Sequence, residues 1–341
     1  MTVDGILNLA LDLNAGFETF SEGDRTVERA EAINDLRQAL IAANGGSTVF
    51  NYRTFRRNKT ELFEIIEQLV DVITEDAFAK NNFFDNCVEW INIKKGDKNE
   101  FIVPEESDFI VCDTADGINT PRRQRLSSGR TSLSTSVHVI RMYDEFSRFM
   151  AGRIDWNALC DKVAAAFLKD VWATIYAALE AVTEDTRGML GTNGVQYCCG
   201  GTYDEDELLE LCAHIEAATG AAPVIVGTTA ALKNCKVQDM PEQAKQEMYN
   251  GGYYGKFYGY DMVKVPQFHK PGTDAFAFND KILHIIAGGQ KFIKFVDEGE
   301  TYILEKGNEV NADRTIEYLM ERQYGVGLII VNHCYGKYLV G

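Results

Sequence analysis

Four residues able to ligate a metal, Cys198, Cys199, Cys212 and His214, fall within 17 positions. Zinc takes such ligands in a tetrahedron. Adjacent cysteines do not readily turn toward one ion, and residues two apart on a helix diverge. Cys212 and His214 are two apart in a stretch of helical periodicity, so these four are not expected to converge. The stretch Gly251-Gly252-Tyr253-Tyr254-Gly255-Lys256 has the composition of a phosphate-cradling loop without its spacing. Three residues separate Gly251 from Gly255 where the motif needs four, and Phe257 stands where a Ser or Thr would hold magnesium. It reads instead as a glycine-rich turn. No G-x-G-x-x-G follows a strand, and neither G-x-S-x-G nor H-E-x-x-H occurs. The five histidines are scattered without a carboxylate pattern, as core or surface histidines are. The sequence thus offers no catalytic, cofactor-binding or metal-ligating residues, and an enzyme is not the expected reading.

The chain has 341 residues, enough for about two domains and a sizeable core. Its 34 basic and 51 acidic residues give a net charge of −17, spread along the chain rather than gathered in a tail. That excludes a plain nucleic-acid binder, whose footprint would be basic. Eight cysteines without C-x-x-C spacing read as reduced, mostly buried thiols of a cytoplasmic product. Met1-Thr2-Val3-Asp4 lacks the basic start and apolar core of a signal peptide, and neither a leader nor a removed pro-segment is expected.

The element that must position everything else is Asp155 to Val182, 28 residues with no Gly and no Pro. Trp156, Cys160, Val163, Phe167, Val171, Ile175, Leu179 and Val182 recur in steps of three and four, which predicts one long helix with Asp155 as its N-cap. Asp161, Lys162, Lys169, Asp170 and Glu180 interrupt every apolar run, so it is not a membrane span, and no membrane partner is expected. Before it, residues 1–50 predict a short helix, a break from Gly16 to Gly23, and a charged helix from Asp24 to Asn44. The apolar stripe of that helix (Val27, Ala30, Ile33, Leu36, Leu40) is too thin for a separate core. It either packs on its own domain or reaches over a neighbouring subunit; the second is the expectation. Thr60 to Ala79 predicts another helix.

From Val88 the period changes to two. Val88–Ile93 reads as a strand with Phe101–Val103 as its hairpin partner, followed by strands at Phe109–Cys112 and Thr131–Ile140. Between the last two lies a polar stretch. From Ile118 to Tyr143 there are five arginines (122, 123, 125, 130 and 141) and no acidic residue, a strong local asymmetry in an acidic chain. Extended hairpins this poor in apolar residues are marginal alone and need another surface. Arg122, Arg123, Arg125 and Arg130 are the expected contacts to acidic surface on an adjacent subunit. A short helix at Tyr143–Arg153 leads into the long helix, and after it the sequence predicts a loop at Thr183–Thr202, a helix at Asp204–Thr219, a strand at Pro223–Gly227 and a short helix at Met240–Asn250. Strands are expected at Met262–Pro266, Ile282–Ala287, Lys291–Val296, Thr301–Leu304, Thr315–Tyr324 and Gly327–Asn332. The glycines and aromatics of 251–260, with Tyr253, Tyr254 and Tyr258, fit a subunit contact, because tyrosine buries area while keeping a polar tip.

The order of these segments is similar to that of the major capsid proteins of tailed bacteriophages with the HK97 fold. The residues carrying the likeness are Phe149-Met150-Ala151-Gly152-Arg153-Ile154-Asp155-Trp156 entering the long helix, and Pro121-Arg122-Arg123 before the Thr/Val strand. Thr315-Ile316-Glu317-Tyr318 and Gly325-Val326-Gly327 near the C-terminus add to it. The resemblance covers about residues 50–341 and implies an α+β fold. Placed on this chain, it implies an N-terminal arm (1–55), a helix leading into the E-loop (56–84) and an extended E-loop hairpin (85–141). A P-domain with the spine helix 155–182 (142–202), an α/β A-domain (203–280) and a β-rich return to the P-domain (281–341) follow. It implies self-assembly into hexamers and pentamers of an icosahedral shell around double-stranded DNA, held non-specifically, in a virion assembled in the host bacterial cytoplasm. A portal is an implied partner, and scaffold or decoration proteins are open. Lys94, Lys95 and Lys98 are available on the E-loop, but no matching cross-linking constellation is identifiable. Two other readings stand beside it: an encapsulin-type cellular compartment of the same fold, and a soluble bacterial α/β enzyme.

Overall fold

The computed structural model describes residues 87–104, 128–144, 156–186, 195–235, 255–265, 267–270, 273–306 and 316–341, with Met189, residues 252–253, and short pieces or single positions between 8 and 74. In chain order its strands are β1 (Thr19–Glu22), β2 (Arg25–Glu28), β3 (Val88–Ile93), β4 (Phe101–Pro104), β5 (Ser128–Thr131), β6 (Ser136–Asp144), β7 (Cys198–Gly200) and β8 (Pro223–Gly227). Then come β9 (Lys256–Phe257), β10 (Tyr260–Lys264), β11 (Ile282–Ala287), β12 (Ile293–Glu298), β13 (Tyr302–Lys306), β14 (Ile316–Leu328) and β15 (Tyr335–Leu339). The helices described from end to end are α1 (Trp156–Glu180), α2 (Glu205–Thr219) and α3 (Thr229–Lys233).

Helix α1 forms where Gly and Pro are absent and apolar side chains recur along one face. Val163, Phe167, Val171, Ile175 and Leu179 are buried, while Lys162, Lys169, Asp170 and Glu180 reach solvent. Each such buried side chain contributes about 1.5–3 kcal/mol relative to an exposed one. The helix stops at Glu180, two residues before the expected end. There Lys337 Nζ donates to the carbonyls of Glu180 (2.7 Å) and Val182 (3.0 Å). A cation at this end satisfies carbonyls that the helix leaves without partners and opposes its dipole.

Two sheets share α1. The six-stranded sheet has the order β7-β15-β11-β8-β10-β9. Helix α2 covers one face with Leu208, Leu211, Cys212 and Ile215, all buried. Asp204 caps it by accepting from the Asp206 amide, and Gly220 ends it in the left-handed conformation. The C-terminal half of α1 covers the other face. Tyr176 meets the His284 ring edge-on at 5.3 Å, and the Tyr335 hydroxyl donates to the Leu179 carbonyl. With both faces covered, β11 is buried along its whole length, which is why it reads as an unbroken apolar run. The second sheet is built on the long strand β14. β6 pairs with it along Ile316–Tyr324, and on the other edge β13 and then β12 pair with its two halves. β3 adds in parallel to β12. The chain crosses between the two sheets three times, from β6 by way of α1 to β7, from β11 to β12 and from β14 to β15.

Several expectations are corrected. Phe101–Val103 is not the hairpin partner of Val88–Ile93: β3 pairs with β12, about 200 residues on, and β4 pairs with β5. The reason is burial, since Val88 is covered and Trp90 packs on Phe295 with ring centroids 4.7 Å apart. The expected strand Thr131–Ile140 is two strands, broken at Ser132–Thr135, and β6 runs on to Asp144 where a helix was expected to begin. Thr315–Tyr324 and Gly327–Asn332 are not two strands; β14 runs through Gly325-Val326-Gly327 unbroken. The charged helix expected from Asp24 starts later: Arg25–Glu28 pairs with Thr19–Glu22 as a hairpin, whereas Asn34, Asp35, Gln38, Ile41 and Ala42 are helical. Ile41 is buried in the main core, so this part of the arm lies on its own subunit. The loop expected at 183–202 contains β7, and β15 was not expected at all. The expected strand at 109–112 and helix at 240–250 lie outside the described residues.

His284 gives a stability test. It is fully buried, with Nδ1 2.7 Å from the Tyr335 hydroxyl. Burial first, then Lys337, lowers its pKa to about 3 from 6.5. The folded state therefore holds the imidazole neutral. Its contribution is complete above about pH 6.5 and is lost as pH falls toward 3. In urea unfolding of dissociated subunits at pH 7 and pH 4.5, His284→Asn should lose less stability on acidification than the parent. An equal loss in both would contradict this account of His284.

Candidate assembly site at the extended ribbon

Strands β4 and β5 form a two-stranded ribbon in antiparallel register from Phe101↔Thr131 to Pro104↔Ser128. Among the described residues it pairs with no other strand. Phe101, at its root, is buried, whereas Ile102 is 70% exposed. A two-stranded ribbon is marginal in water unless something covers it. Arg130 lies on this ribbon and pairs with Glu100, Nη1 to Oε2, at 3.3 Å. Both side chains are largely exposed, so the pair is worth at most about 1 kcal/mol. Arg122, Arg123 and Arg125 lie outside the described residues.

The root of the ribbon is held by one carboxylate. Glu298, at the end of β12, accepts from the Gly96 amide (3.0 Å), the Thr135 hydroxyl and the Gln323 side-chain amide (2.8 Å). The Thr135 and Gly96 hydrogen bonds lead in holding its pKa below the usual value, against a small cost of burial. Gln323 also donates to the Thr135 hydroxyl at 2.9 Å, and Asn99 Nδ2 donates to the Leu133 carbonyl at 2.6 Å. The two limbs of the ribbon are thereby tied to each other and to β12 and β14. The returning limb also lies closely over β14. A Cβ on Gly325 would stand 2.5 Å from the Ser134 carbonyl oxygen, and one on Gly327 would meet the Leu133 side chain.

One face of the β14 sheet packs on α1, and on the other, beyond the crossing of the returning limb, described side chains are exposed. On the packed side His138 stacks on Tyr324 at 3.9 Å, and its Nδ1 lies 2.7 Å from Asp170 Oδ2 of α1. The Tyr324 hydroxyl donates to the same carboxylate. Arg322 pairs with Asp297, both buried, and with Asp71 at 3.6 Å. Burial raises the Asp297 pKa, and the Arg322 guanidinium opposes that shift. Glu67 accepts from the Ile303 amide (2.7 Å) and Asp71 from the Thr301 amide (3.3 Å), so the helical segment holding them covers the edge of β13. On the open side the register brings Val139, Glu321 and Tyr302 into one row. Val137, Val139, Tyr302 and Leu304 are all exposed there.

The other predicted contact residues are dispersed. Tyr253 is half-buried against the main core, and Tyr254 lies outside the described residues. Tyr258 sits at the tip of the β9–β10 hairpin with φ +47° and its ring exposed. Its hydroxyl donates to Glu205, and that of Tyr260 donates to Glu216 at 2.7 Å, binding the hairpin to α2. The Glu216 hydrogen bond, more than burial, raises the Tyr260 pKa to about 12. Of the metal-ligand types, Cys199 and His214 line one shallow cleft with Glu207 and Glu210, while Cys212 turns into the core. Burial pushes the Cys199 and Cys212 thiols up to about 12, away from thiolate chemistry. Among the described residues no group of three or more His, Cys, Asp or Glu could hold a metal ion.

A family model described as "SPbeta prophage-derived putative capsid protein YonB" matches residues 6–336. The chain belongs to this capsid-protein family. No curated protein matches its sequence. Solved structures similar to it include the capsid of an empty GTA particle, at a TM-score of 0.52 and 10% identity, covering 74% of this chain and 93% of that one. The capsid of the native GTA particle aligns at a TM-score of 0.50 and 9% identity, covering 74% and 87%. At such identities the likeness is one of fold, and the fold is the HK97-like α+β fold of phage capsids. Sequence reasoning missed Glu298, Thr135, Gln323, His138 and Asp170; each acts through partners distant in sequence, and no local spacing marks them.

Gly325 offers a direct test of the close crossing. Gly325→Ala should destabilise the subunit by about 1–3 kcal/mol, because a backbone oxygen must move. Gly327→Ala should cost less, because a leucine side chain can turn aside. Thermal unfolding of both variants checks this; a Gly325→Ala melting point equal to the parent's would contradict the crossing.

Proposed function

We propose that this member of a capsid-protein family is the major shell subunit of a virion, with a structural rather than catalytic role. Copies assemble into hexamers and pentamers that close an icosahedral shell around double-stranded DNA, in the cytoplasm of a bacterial host. A portal completes the particle. The observation that carries this reading is the β4–β5 ribbon, which leaves the β14 sheet with Ile102 exposed and no other described strand beside it. A second copy supplies the missing surface. In this reading residues 1–55 are the arm, 56–84 the helix before the ribbon, 85–141 the E-loop with its two ends β3 and β6 in the β14 sheet, 142–202 and 281–341 the P-domain, and 203–280 the A-domain, whose strands β8–β10 are joined in one sheet by β7, β11 and β15. The chain's −17 net charge keeps it from binding DNA through bulk attraction, so the genome is held non-specifically within the shell.

Arg122, Arg123, Arg125 and Arg130 dock on acidic surface of the neighbouring subunit, and Tyr253, Tyr254 and Tyr258 stand at the wall between A-domains. Each arginine contact is worth little, but it repeats in every subunit. Purified full-length chain should form closed shells by electron microscopy, and a map at side-chain resolution should place the four arginines and Tyr258 against a second copy. Changing all four arginines to Gln should leave the melting transition of dissociated subunits unchanged while shells are lost or become salt-fragile. A discrete small oligomer, shells that enclose only protein when made in the infected host, or normal salt tolerance of the quadruple variant would overturn the corresponding part of the proposal.

A further inference from the structure

We propose that Glu298 is the positioning residue that sets the ribbon's angle before assembly, so that a subunit meets its neighbour with the ribbon already aimed. The inference rests on the shell reading for its consequence, but not for its geometry. Three observations carry it. First, the carboxylate gathers donors from three separate segments: Gly96 in the turn before β4, Thr135 between β5 and β6, and Gln323 on β14. An ionised carboxylate accepting several hydrogen bonds makes each of them stronger than a neutral pair. Second, these donors lie at the root of the ribbon and not along it. Gly96 has φ +89° and its N–H is aimed at Glu298, while Asp97 closes the turn by donating to the Lys94 carbonyl at 3.0 Å. The outgoing limb therefore leaves the sheet in a fixed direction. Third, the returning limb is tied at the same point by Thr135 and by the Asn99–Leu133 hydrogen bond, so neither limb can swing alone.

The surroundings fit a clamp and not a core packing device. Glu298 is half-buried at the end of β12, and its hydrogen-bond partners are polar groups. The charged neighbour is Lys95, whose Nζ lies over the Tyr302 ring at 5.2 Å and whose charge favours the ionised carboxylate. Removing the carboxylate should therefore free the ribbon without unfolding the subunit.

The test uses the full chain with Glu298→Ala, and Thr135→Val as a second variant that removes one donor and leaves the carboxylate. Hydrogen exchange on dissociated subunits reads the clamp, and electron microscopy reads assembly. Both variants should melt within a few degrees of the parent. Amide exchange at Gly96 and across β4–β5 should rise about ten-fold or more in Glu298→Ala and less in Thr135→Val. Shells should become irregular or fail in the same order, and Glu298→Gln, which keeps an acceptor oxygen, should restore part of both. Unchanged exchange at Gly96 overturns the clamp. Faster exchange with normal shells overturns its role in aiming the ribbon. If the parent itself forms no shell, the shell reading fails, and the exchange experiment alone still decides whether Glu298 holds the ribbon. If Glu298→Ala does not fold, the positioning role is overturned unless Thr135→Val folds and shows the faster exchange.

Discussion

Helix α1 is buried along a stripe from Val163 to Leu179 that two sheets share. Its C-terminal half lies on the six-stranded sheet, where Tyr176 and Leu179 meet His284 and Tyr335. Further toward its N-terminus, Asp170 is fastened to β14 and β6 through Tyr324 and His138. The two sheets are thus related through one rigid rod. The chain itself joins the same two sheets three times, from β6 by way of α1 to β7, from β11 to β12 and from β14 to β15. Lys337 shows the same dependence in one residue: it belongs to a strand of one sheet and satisfies the carbonyls that close the helix.

What leaves that body is the ribbon. The outer edge of β13 is covered by carboxylates from the helical segment near Glu67 and Asp71, so a free edge does not invite unwanted pairing. The ribbon has no such cover among the described residues. It keeps its direction through polar contacts at the root and carries its apolar Ile102 outward. A structural protein that must meet identical copies needs this combination: a body stiff enough to hold symmetry, and an arm whose contacts are completed by the next subunit. The open face of the β14 sheet, with Val137, Val139, Tyr302 and Leu304, belongs to the same division between covered and uncovered surface.

Much of the rod and the central strands was legible in the sequence, because their physics is local. The α1 stripe repeats at helical spacing, and β8 and β11 are apolar runs of strand length bounded by turns. β15 was not legible, for two identifiable reasons. Gly336 interrupts its apolar pattern, yet a Cβ there would stand 2.8 Å from Ile215 of α2. Lys337 interrupts it again, because it serves the helix end. The pairing of β3 with β12 was hidden because parallel partners far apart in sequence leave no turn signal. The arginine-rich stretch was visible as charge asymmetry, but the group that anchors the ribbon was not. Nothing in the sequence around Glu298 shows that Gly96, Thr135 and Gln323 converge on it.

The central claim is that the α1 body is complete within one chain while the ribbon is completed by another. Amide hydrogen exchange, followed by peptide mass spectrometry on dissociated subunits and on assembled particles, tests it most directly. Peptides from α1, β11 and β14 should be equally protected in both states. Peptides covering β4 and β5 should exchange faster than those of α1 in subunits, though still more slowly than an open chain, and gain protection in particles. Equal protection of the ribbon in the two states, or loss of α1 protection on dissociation, would contradict the account.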